Sequence, residues 1–210
     1  MKNLIIVGAG SQGREILQFA KDINAVAPLY NIKGFIADWG DDIPALTDGK
    51  YRILGTIQEW SPSADEVYVC AINEPLGKRA VVHKLLERGA VFVSLVHPTA
   101  GIADYVTFGK GCVLYPHAGI GNNCSIGNFV TISGCIAHDT VLADFVTLSG
   151  GANTMGHVSV GECAFLGAKC VIAPNTRIGE EAFVGIGSVV IRHVKPHTKV
   201  FGNPARILDI

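Results

Sequence analysis

The most regular feature of the chain is a six-residue period of hydrophobic positions in its second half. Between Ile102 and Val190 an aliphatic side chain recurs at every sixth position, and a small residue usually follows it. A second small or β-branched residue comes four positions after each aliphatic one. A period of six fits neither an α-helix nor a half-buried strand. It fits a parallel β-helix in which each hexapeptide forms one flat face of a triangular coil.

The period indicates both the extent of this solenoid and one irregular place in it. His97-Pro98 precedes the first repeat, so we predict a β-helix domain over 97–210, with coils to about residue 191 and a capping tail beyond them. A cap is needed because the last coil would otherwise expose its stacking edge. The rhythm breaks once, since Ile132 and Ile136 are only four residues apart, and the coil must tighten or bulge there.

Residues 1–96 follow a different pattern, in which short apolar runs alternate with helical ones. An alternation of strand and helix predicts a parallel sheet with helices packed on its faces. The first helix should follow a glycine-rich segment and bury on one face Ile16, Leu17, Phe19, Ala20 and Ile23. The other predicted segments are strands at 4–7, 32–37, 52–56, 67–72 and 91–96 and a helix at 76–88. We therefore predict an α/β half-Rossmann domain over 1–96.

A glycine motif separates the first strand from the first helix. Gly8, Gly10 and Gly13 form G-x-G-x-x-G, which permits a tight turn and lets backbone N–H groups approach a phosphate at the helix N-terminus. Asp38 follows the next strand, where an acid can accept hydrogen bonds from a ribose or a base. A dinucleotide needs two such halves, and fewer than 100 residues precede the repeats. We therefore favour a nucleotide diphosphate, with a loop that binds no ligand as the second possibility and a dinucleotide as the third.

Composition narrows the setting in which the protein works. Hydrophobic residues make up 49% of the 210 residues, but no uninterrupted apolar run approaches the roughly 20 residues that span a bilayer. The first apolar run is too short for a signal peptide, so we expect a cytoplasmic protein. The net charge is −1 and the basic residues are scattered, which argues against nucleic acid and membranes as partners. The six cysteines form no Cys-x-x-Cys pair and are expected to be reduced, structural thiols.

His138 is the titratable residue with the most distinctive position. It is the third residue of its hexapeptide, where a side chain points out of the coil, and it follows the break in the period directly. A catalytic histidine and a solvated one are both compatible with this spacing. The other histidines are expected at corners, in turns or on the surface: His83, His97, His117, His157, His193 and His197.

Motifs from both halves of the chain occur together in one family. They are Gly8-Ala9-Gly10-Ser11-Gln12-Gly13, Phe35-Ile36-Ala37-Asp38, Ala71-Ile72-Asn73 with Arg79, His97-Pro98, Ile136-Ala137-His138-Asp139 and Gly202-Asn203-Pro204-Ala205. With the six-residue repeats, they make the chain resemble the hexapeptide-repeat acyltransferases, which form left-handed parallel β-helices and use acyl-CoA. The chain is most similar to the branch with a small nucleotide-sugar-binding domain before the β-helix. That branch contains nucleotide-sugar N-acetyltransferases and sialic acid O-acetyltransferases.

The resemblance implies an acetyl-CoA-dependent enzyme that transfers an acetyl group directly to a sugar. In such a mechanism His138 removes a proton from the acceptor as it attacks the thioester, and no covalent cysteine intermediate forms. Asp139 belongs to the same catalytic motif, but as the immediate neighbour of His138 it is expected not to face the imidazole. A backbone N–H one coil further on should stabilise the oxyanion, and Gly150-Gly151 and Ser149 are both candidates.

The resemblance also implies binding residues and an assembly. We expect a homotrimer, with active sites between neighbouring β-helices and no metal cofactor. The nucleotide-linked amino sugar is expected to contact Gly8, Gly10, Ser11, Gln12, Gly13, Asp38, Asn73 and Arg79. Acetyl-CoA is expected to contact Gly150, Ala168, Gly185, Gly187 and Lys195.

Several functions are compatible with these expectations. N-acetylation of a nucleotide-linked amino sugar is favoured, because a nucleotide domain is joined to the β-helix. O-acetylation of a sialic-acid-type sugar places similar demands on a histidine base. A non-catalytic scaffold would release no thiol from acetyl-CoA. A carbonic-anhydrase-like shell would need zinc held by stacked histidines such as His117, His138 and His157.

Overall fold

The computed structural model describes residues 1–208, which form two compact units. The first unit contains Met1–Asn73 and Gly77–Pro98, and the second contains Glu74–Leu76 and the chain from Thr99 onward. The two units are described separately below.

The first unit is built on a parallel sheet with the strand order β3-β2-β1-β4. Its central strand β1 is completely buried from Leu4 to Val7, as expected for a strand covered on both faces. The strands are β1 Lys2–Ala9, β2 Tyr30–Gly40, β3 Ile53–Gly55, β4 Glu66–Cys70 and β5 Leu95–Val96. The helices are α1 Ser11–Val26, α2 Ile43–Leu46 and α3 Pro75–Glu87.

Most of the elements predicted in this unit are present, with three differences. Helix α1 buries the five apolar residues that were expected on its inner face. The short helix α2 was not predicted. The last strand is also shorter than the predicted 91–96: it comprises only β5, and before it Phe92 forms an isolated bridge to Tyr68. His97 was expected in a turn, but it is buried with Nε2 3.1 Å from Asp22 Oδ2.

The second unit is a parallel β-helix of two-residue strands. Successive strands on one face are normally 18 residues apart, as in the pairing of Val113 with Thr131, so three hexapeptides complete one coil. The three faces have the strand orders β19-β16-β13-β10-β7, β22-β20-β17-β14-β11-β8 and β21-β18-β15-β12-β9-β6. The repeating strands are β6 Gly101–Ile102, β7 Thr107–Phe108, β8 Val113–Leu114, β9 Gly119–Ile120, β10 Ser125–Ile126, β11 Thr131–Ile132, β12 Cys135–Ile136, β13 Val141–Leu142, β14 Thr147–Leu148, β15 Asn153–Thr154, β16 Ser159–Val160, β17 Phe165–Leu166, β18 Val171–Ile172, β19 Arg177–Ile178, β20 Phe183–Val184 and β21 Val189–Val190.

The six-residue period sorts side chains in the predicted way. From Cys112 onward, the inward positions of the hexapeptides are buried and fill a continuous core, whereas Ile102 and Phe108 in the first coil are exposed. Outside the coil, aromatic rings stack between successive turns, as in Phe129 with Phe145, whose centroids are 5.2 Å apart. The side chains therefore stack in register from coil to coil on the outside as well as inside.

Each corner of regular length is turned by a residue in the left-handed backbone region. This residue comes directly before the small core residue, and its side chain leaves the coil. Such a conformation is uncommon for residues other than glycine, so it constrains where the side chain can point. The non-glycine residues with positive φ in the coils are Tyr105, His117, Asn123, Phe129, Asp139, Phe145, His157, Cys163, Lys169, Asn175 and Glu181.

The break in the period is a turn that lacks two residues. Strand β12 follows β11 after only Ser133-Gly134, and Gly119 therefore pairs with Cys135, 16 residues on instead of 18. At Gly134 an added Cβ would lie only 1.9 Å from the carbonyl oxygen of Ala152 in the next coil. The coil thus tightens, as one of the two predicted alternatives, and the short turn depends on a residue without a side chain.

A two-stranded antiparallel hairpin follows the last coil, formed by β22 Lys199–Gly202 and β23 Ala205–Ile207. Strand β22 pairs with β20 and so covers the edge of one face. This is the predicted capping tail. Among the described residues, no helix has the length and apolar character needed to cross a membrane.

Candidate active site

The turn between β12 and β13 brings together an imidazole and a carboxylate. Nδ1 of His138 lies 2.7 Å from Oδ2 of Asp139. The expectation that Asp139 does not face its neighbour's ring is wrong. The physical reason is the positive φ of 56° at Asp139, which turns its side chain to the same side of the coil as His138.

The charge of Asp139 determines which nitrogen of His138 can act as a base. The hydrogen bond from His138 is the largest of the effects that lower the pKa of Asp139, so the carboxyl group is ionised at neutral pH. An ionised carboxylate only accepts hydrogen bonds, and Nδ1 must therefore carry the proton. Nε2 then keeps its lone pair, and it belongs to a side chain that is 58% exposed. This arrangement suits a general base that receives a proton from a bound acceptor.

Gly156 occupies the corresponding position in the next coil and leaves room for the His138 ring. A Cβ on Gly156 would lie 2.5 Å from Cε1 and 2.7 Å from Nε2 of His138. Within residues 1–208 the backbone N–H of Gly156 has no hydrogen-bond partner. Gly156 was not among the predicted site residues, although its spacing of 18 from His138 is visible in the sequence.

The expected oxyanion donors lie at a different corner. Ser149, Gly150 and Gly151 form the turn between β14 and β15, whereas His138 and Gly156 belong to the turns between the next pair of faces. The N–H groups of Ser149 and Gly151 already donate to backbone carbonyls in neighbouring coils. Within one chain, the geometry therefore favours the N–H of Gly156 over this segment as the donor near His138.

A second histidine joins the His138 and Asp139 pair. His157 lies one coil above Asp139, with Nε2 3.7 Å from Oδ2 of Asp139. Its ring packs edge-to-face against that of His138, with centroids 5.3 Å apart. The backbone N–H of His157 donates a hydrogen bond to the backbone carbonyl of His138. Asn123, one coil below, directs Nδ2 at the other oxygen of Asp139, at 3.4 Å. His157 was expected to be an ordinary corner residue, and its spacing of 18 from Asp139 was the available signal.

The glycine loop of the first unit connects β1 to α1 by close backbone contacts. A Cβ on Gly13 would lie 2.3 Å from the carbonyl oxygen of Gly8, and Gly8 itself has a φ of 107°. The N-cap residue Gly10 provides no side-chain hydrogen bond, and the first turn of α1 contains no acidic residue. The N–H groups at the start of this 16-residue helix are therefore suited to an anionic ligand.

Polar and aromatic side chains surround this loop at the carboxyl edge of the sheet. Nε2 of Gln12 is buried without a hydrogen-bond partner in the described chain, and Arg14 forms an ion pair with Asp41. Trp39 is 82% exposed and has a ring atom 4.0 Å from the position of a Cβ on Gly10. Asp38 accepts a hydrogen bond from the N–H of Gln58, which occupies one of its oxygens.

The structure places the other predicted binding residues in several settings. Asn73 follows β4 at the same carboxyl edge as the glycine loop, and Arg79 lies on α3. Gly187 and Lys195 are exposed near the C-terminal end of the β-helix, and Ala168 is half-buried. Gly185 is buried against Phe201, whose ring would be 1.9 Å from an added Cβ, so packing explains this glycine.

All six cysteines are free thiols, as expected. Five of the six cysteines are buried, as suits structural thiols, whereas Cys135 is exposed. Burial raises the pKa of Cys70 to about 11 and that of Cys170 to about 12. These thiols are therefore protonated at neutral pH and are poor nucleophiles.

Known proteins share both the sequence and the architecture of this chain. GDP-perosamine N-acetyltransferase from Escherichia coli O157:H7 is 30% identical over 213 residues, which cover 96% of this chain and 94% of that protein. WeeI from Acinetobacter baumannii AYE is 27% identical, with a TM-score of 0.85 over 99% of this chain and all of that one. No protein-family model matches the chain.

A further structural relative shows the same fold with ligands bound. PerB from Caulobacter crescentus, solved with CoA and GDP-perosamine, has a TM-score of 0.85 and 23% identity, over 100% of this chain and 98% of that chain. This likeness confirms the predicted left-handed β-helix preceded by an α/β domain. The identity and coverage of the Escherichia coli relative also confirm the resemblance that the motifs indicated. The chain therefore belongs to the hexapeptide-repeat acetyltransferase family that includes GDP-perosamine N-acetyltransferase.

Proposed function

We propose that the protein is an acetyl-CoA-dependent N-acetyltransferase that acts on the amino group of a nucleotide-linked amino sugar. The observation that carries the proposal is the 2.7 Å contact between Nδ1 of His138 and the carboxylate of Asp139, which leaves Nε2 as a base. The proposal is also supported by the similarity to a GDP-perosamine N-acetyltransferase, which matches nearly the whole chain. The acyltransferase chemistry and the acetyl-CoA co-substrate agree with the relatives solved with acetyl-CoA or CoA.

In this reaction the acceptor nitrogen attacks the thioester carbonyl carbon of acetyl-CoA. Nε2 of His138 takes a proton from that nitrogen as the N–C bond forms, and the backbone N–H of Gly156 donates to the developing oxyanion. The tetrahedral intermediate then expels the CoA thiolate, which receives the proton from His138. Asp139 holds the imidazole by Nδ1 throughout and stabilises its positive charge.

The glycine loop is proposed to hold the diphosphate of the nucleotide sugar. The uncapped N-terminus of α1, the glycines Gly8, Gly10 and Gly13 and the side chains of Ser11 and Gln12 would face the phosphates. The unpartnered Nε2 of Gln12 supports this role, because a buried donor gains from an anionic acceptor. Asp38 and Asn73, at the edge of the same sheet, and Arg79 on α3 complete the proposed sugar and nucleotide contacts.

Acetyl-CoA is proposed to lie along the coils toward their C-terminal end. Gly150, Ala168, Gly187 and Lys195 are the proposed contacts, and the exposure of Gly187 and Lys195 is compatible with this role. We also propose a homotrimer, because the His138 side chain is 58% exposed in one chain and needs a second surface to exclude water. O-acetylation of a sugar is the second candidate, because relatives with partial coverage include named O-acyltransferases.

The proposal is tested by product formation from acetyl-CoA with UDP-, dTDP- and GDP-linked 4-amino sugars and with the matching hydroxyl sugars. We expect turnover with an amino sugar, and a loss of about 10²–10⁴-fold in kcat for His138→Ala. Asp139→Asn should cost less, roughly ten- to a hundredfold, because it removes a charge-assisted hydrogen bond and keeps the ring.

His117→Ala is the matched control, since His117 is also an exposed histidine in a turn of the coil but lies outside this cluster. It should retain activity. Turnover that is unchanged in His138→Ala would contradict the mechanism. Turnover of hydroxyl acceptors alone would support the second candidate instead.

A further inference from the structure

Three side chains of the β-helix place donor atoms for a metal ion at one corner. His138, Asp139 and His157 each offer a nitrogen or oxygen atom, and these atoms lie within 4.8 Å of one another. The individual distances to Oδ2 of Asp139 are 2.7 Å from His138 Nδ1 and 3.7 Å from His157 Nε2. The three residues come from two successive coils, so the cluster exists only because the coils stack in register.

We propose that this corner is an inhibitory site for a divalent transition metal, with Zn²⁺ as the preferred ion. Two imidazoles and one carboxylate are a common protein ligand set for zinc, with a fourth position left for water. Zinc–ligand bonds of about 2.0–2.1 Å place tetrahedral ligands about 3.4 Å apart. The two distances to Oδ2 of Asp139 bracket that value, and all three donor atoms lie within 4.8 Å of one another, so rotations of the side chains would bring them to the ion.

The surroundings hold the ligands in place without closing the corner. Asp139 and His157 occupy left-handed corner positions, which constrain the direction of their side chains. Asn123 donates to the oxygen of Asp139 that does not face the imidazoles, and such a second partner orients a carboxylate ligand. The exposed fractions of His138, Asp139 and His157 are 58%, 37% and 58%, so a hydrated ion can reach all three.

Metal binding and the proposed catalysis exclude each other for a chemical reason. As a base, His138 needs its proton on Nδ1 and its lone pair on Nε2. Coordination through Nδ1 uses the lone pair of that nitrogen, so the single proton of the neutral ring moves to Nε2. Nε2 then cannot accept a proton from the acceptor amine. This consequence rests on the proposed function, whereas metal binding itself does not.

Binding is tested directly on untagged protein that has been stripped with a chelator and dialysed. Competition of Zn²⁺ with a chromogenic chelator should give one tight site per chain, and Co²⁺ should give the visible absorbance of a four-coordinate site. His157→Asn should weaken the affinity about tenfold or more, because one ligand is lost. His117→Asn, at an equivalent exposed corner outside the cluster, should bind as wild type does. Equal affinity in wild type and His157→Asn would overturn the site.

Inhibition is measured as acetylated sugar by chromatography, since free CoA thiol binds zinc. Zn²⁺ should abolish turnover reversibly, and His157→Asn should raise the half-inhibitory concentration by the factor found for binding, relative to its own uninhibited rate. Tight binding at this corner without inhibition would overturn the exclusion between metal and base. If no amino sugar is acetylated, the proposed function fails, and the chelator competition still decides whether the metal site exists.

Discussion

The candidate site depends on backbone conformation at single residues. Adjacent residues in extended chain point to opposite sides, which is why Asp139 was not expected to face His138. The left-handed conformation at the corner removes that separation and makes the contact of 2.7 Å possible. His138 itself could be selected from sequence because it follows the break in the period. Gly156 and His157 each follow the catalytic pair at a spacing of 18, which indicates stacking, but their distances and orientations come only from the structure.

Gly156→Ala tests whether space beside the imidazole is required. The added Cβ would lie 2.5 Å from Cε1 of His138 and would push the ring away from its position. We expect kcat to fall roughly a hundredfold with little change in thermal stability, because small displacements of catalytic groups are costly. Steady-state kinetics and a thermal melt measure the two effects. Gly101→Ala is the control, since its Cβ meets nothing within 4 Å, and equal kcat in both variants would refute this role.

Trp39 is a second residue with a specific expected role. An indole with 82% exposure beside a glycine loop can stack on a nucleobase. We expect titration with GDP or UDP to quench the tryptophan fluorescence of wild type. The chain has two tryptophans, and Trp60 is held by a hydrogen bond to Tyr68. Trp60→Phe should therefore keep the quenching and Trp39→Phe should lose it; the reverse result would exclude stacking by Trp39.

The strands and turns of the β-helix follow from the period, and the shortened turn shows where the pattern has an exception. Each hexapeptide supplies a two-residue strand and a corner, and the aliphatic positions identify both. The strands of the first unit are less well predicted, since the segment 91–96 is apolar and yet forms only a bridge and a two-residue strand. An apolar run in the sequence indicates that a segment is buried. Whether that segment forms a strand depends on hydrogen bonding to a neighbouring strand, which the run itself does not indicate.

Gly134→Ala tests the packing of the shortened turn. The new Cβ would lie 1.9 Å from a backbone oxygen, which cannot move without displacing the next coil. We expect a loss of about 1–3 kcal/mol of stability, seen as a fall of several degrees in the thermal midpoint. Gly101→Ala again provides the control and should melt as wild type does. A melt of Gly134→Ala that coincides with wild type would show that the coils can separate to accept the methyl group.

At the level of the whole molecule, one chain leaves the proposed base open to water. A homotrimer would place a second β-helix beside it, and the expected mass is about 67 kDa, three times the 22.2 kDa of the chain. Light scattering coupled to gel filtration measures this mass. We expect activity to fall on dilution below the concentration at which the trimer dissociates. A monomer that keeps full kcat would contradict the proposed assembly.

The sequence by itself determined the architecture, the family and the identity of the candidate base. These properties follow from a period, a set of motifs and one interruption, all of which are local along the chain. Only the tertiary structure decided the partners of that base. Stacking coils bring together residues 16 or 18 positions apart, and a positive φ turns Asp139 toward His138. The proposed chemistry of His138 depends on distances of a few ångströms between side chains of neighbouring coils. The spacing of residues in the sequence does not specify those distances.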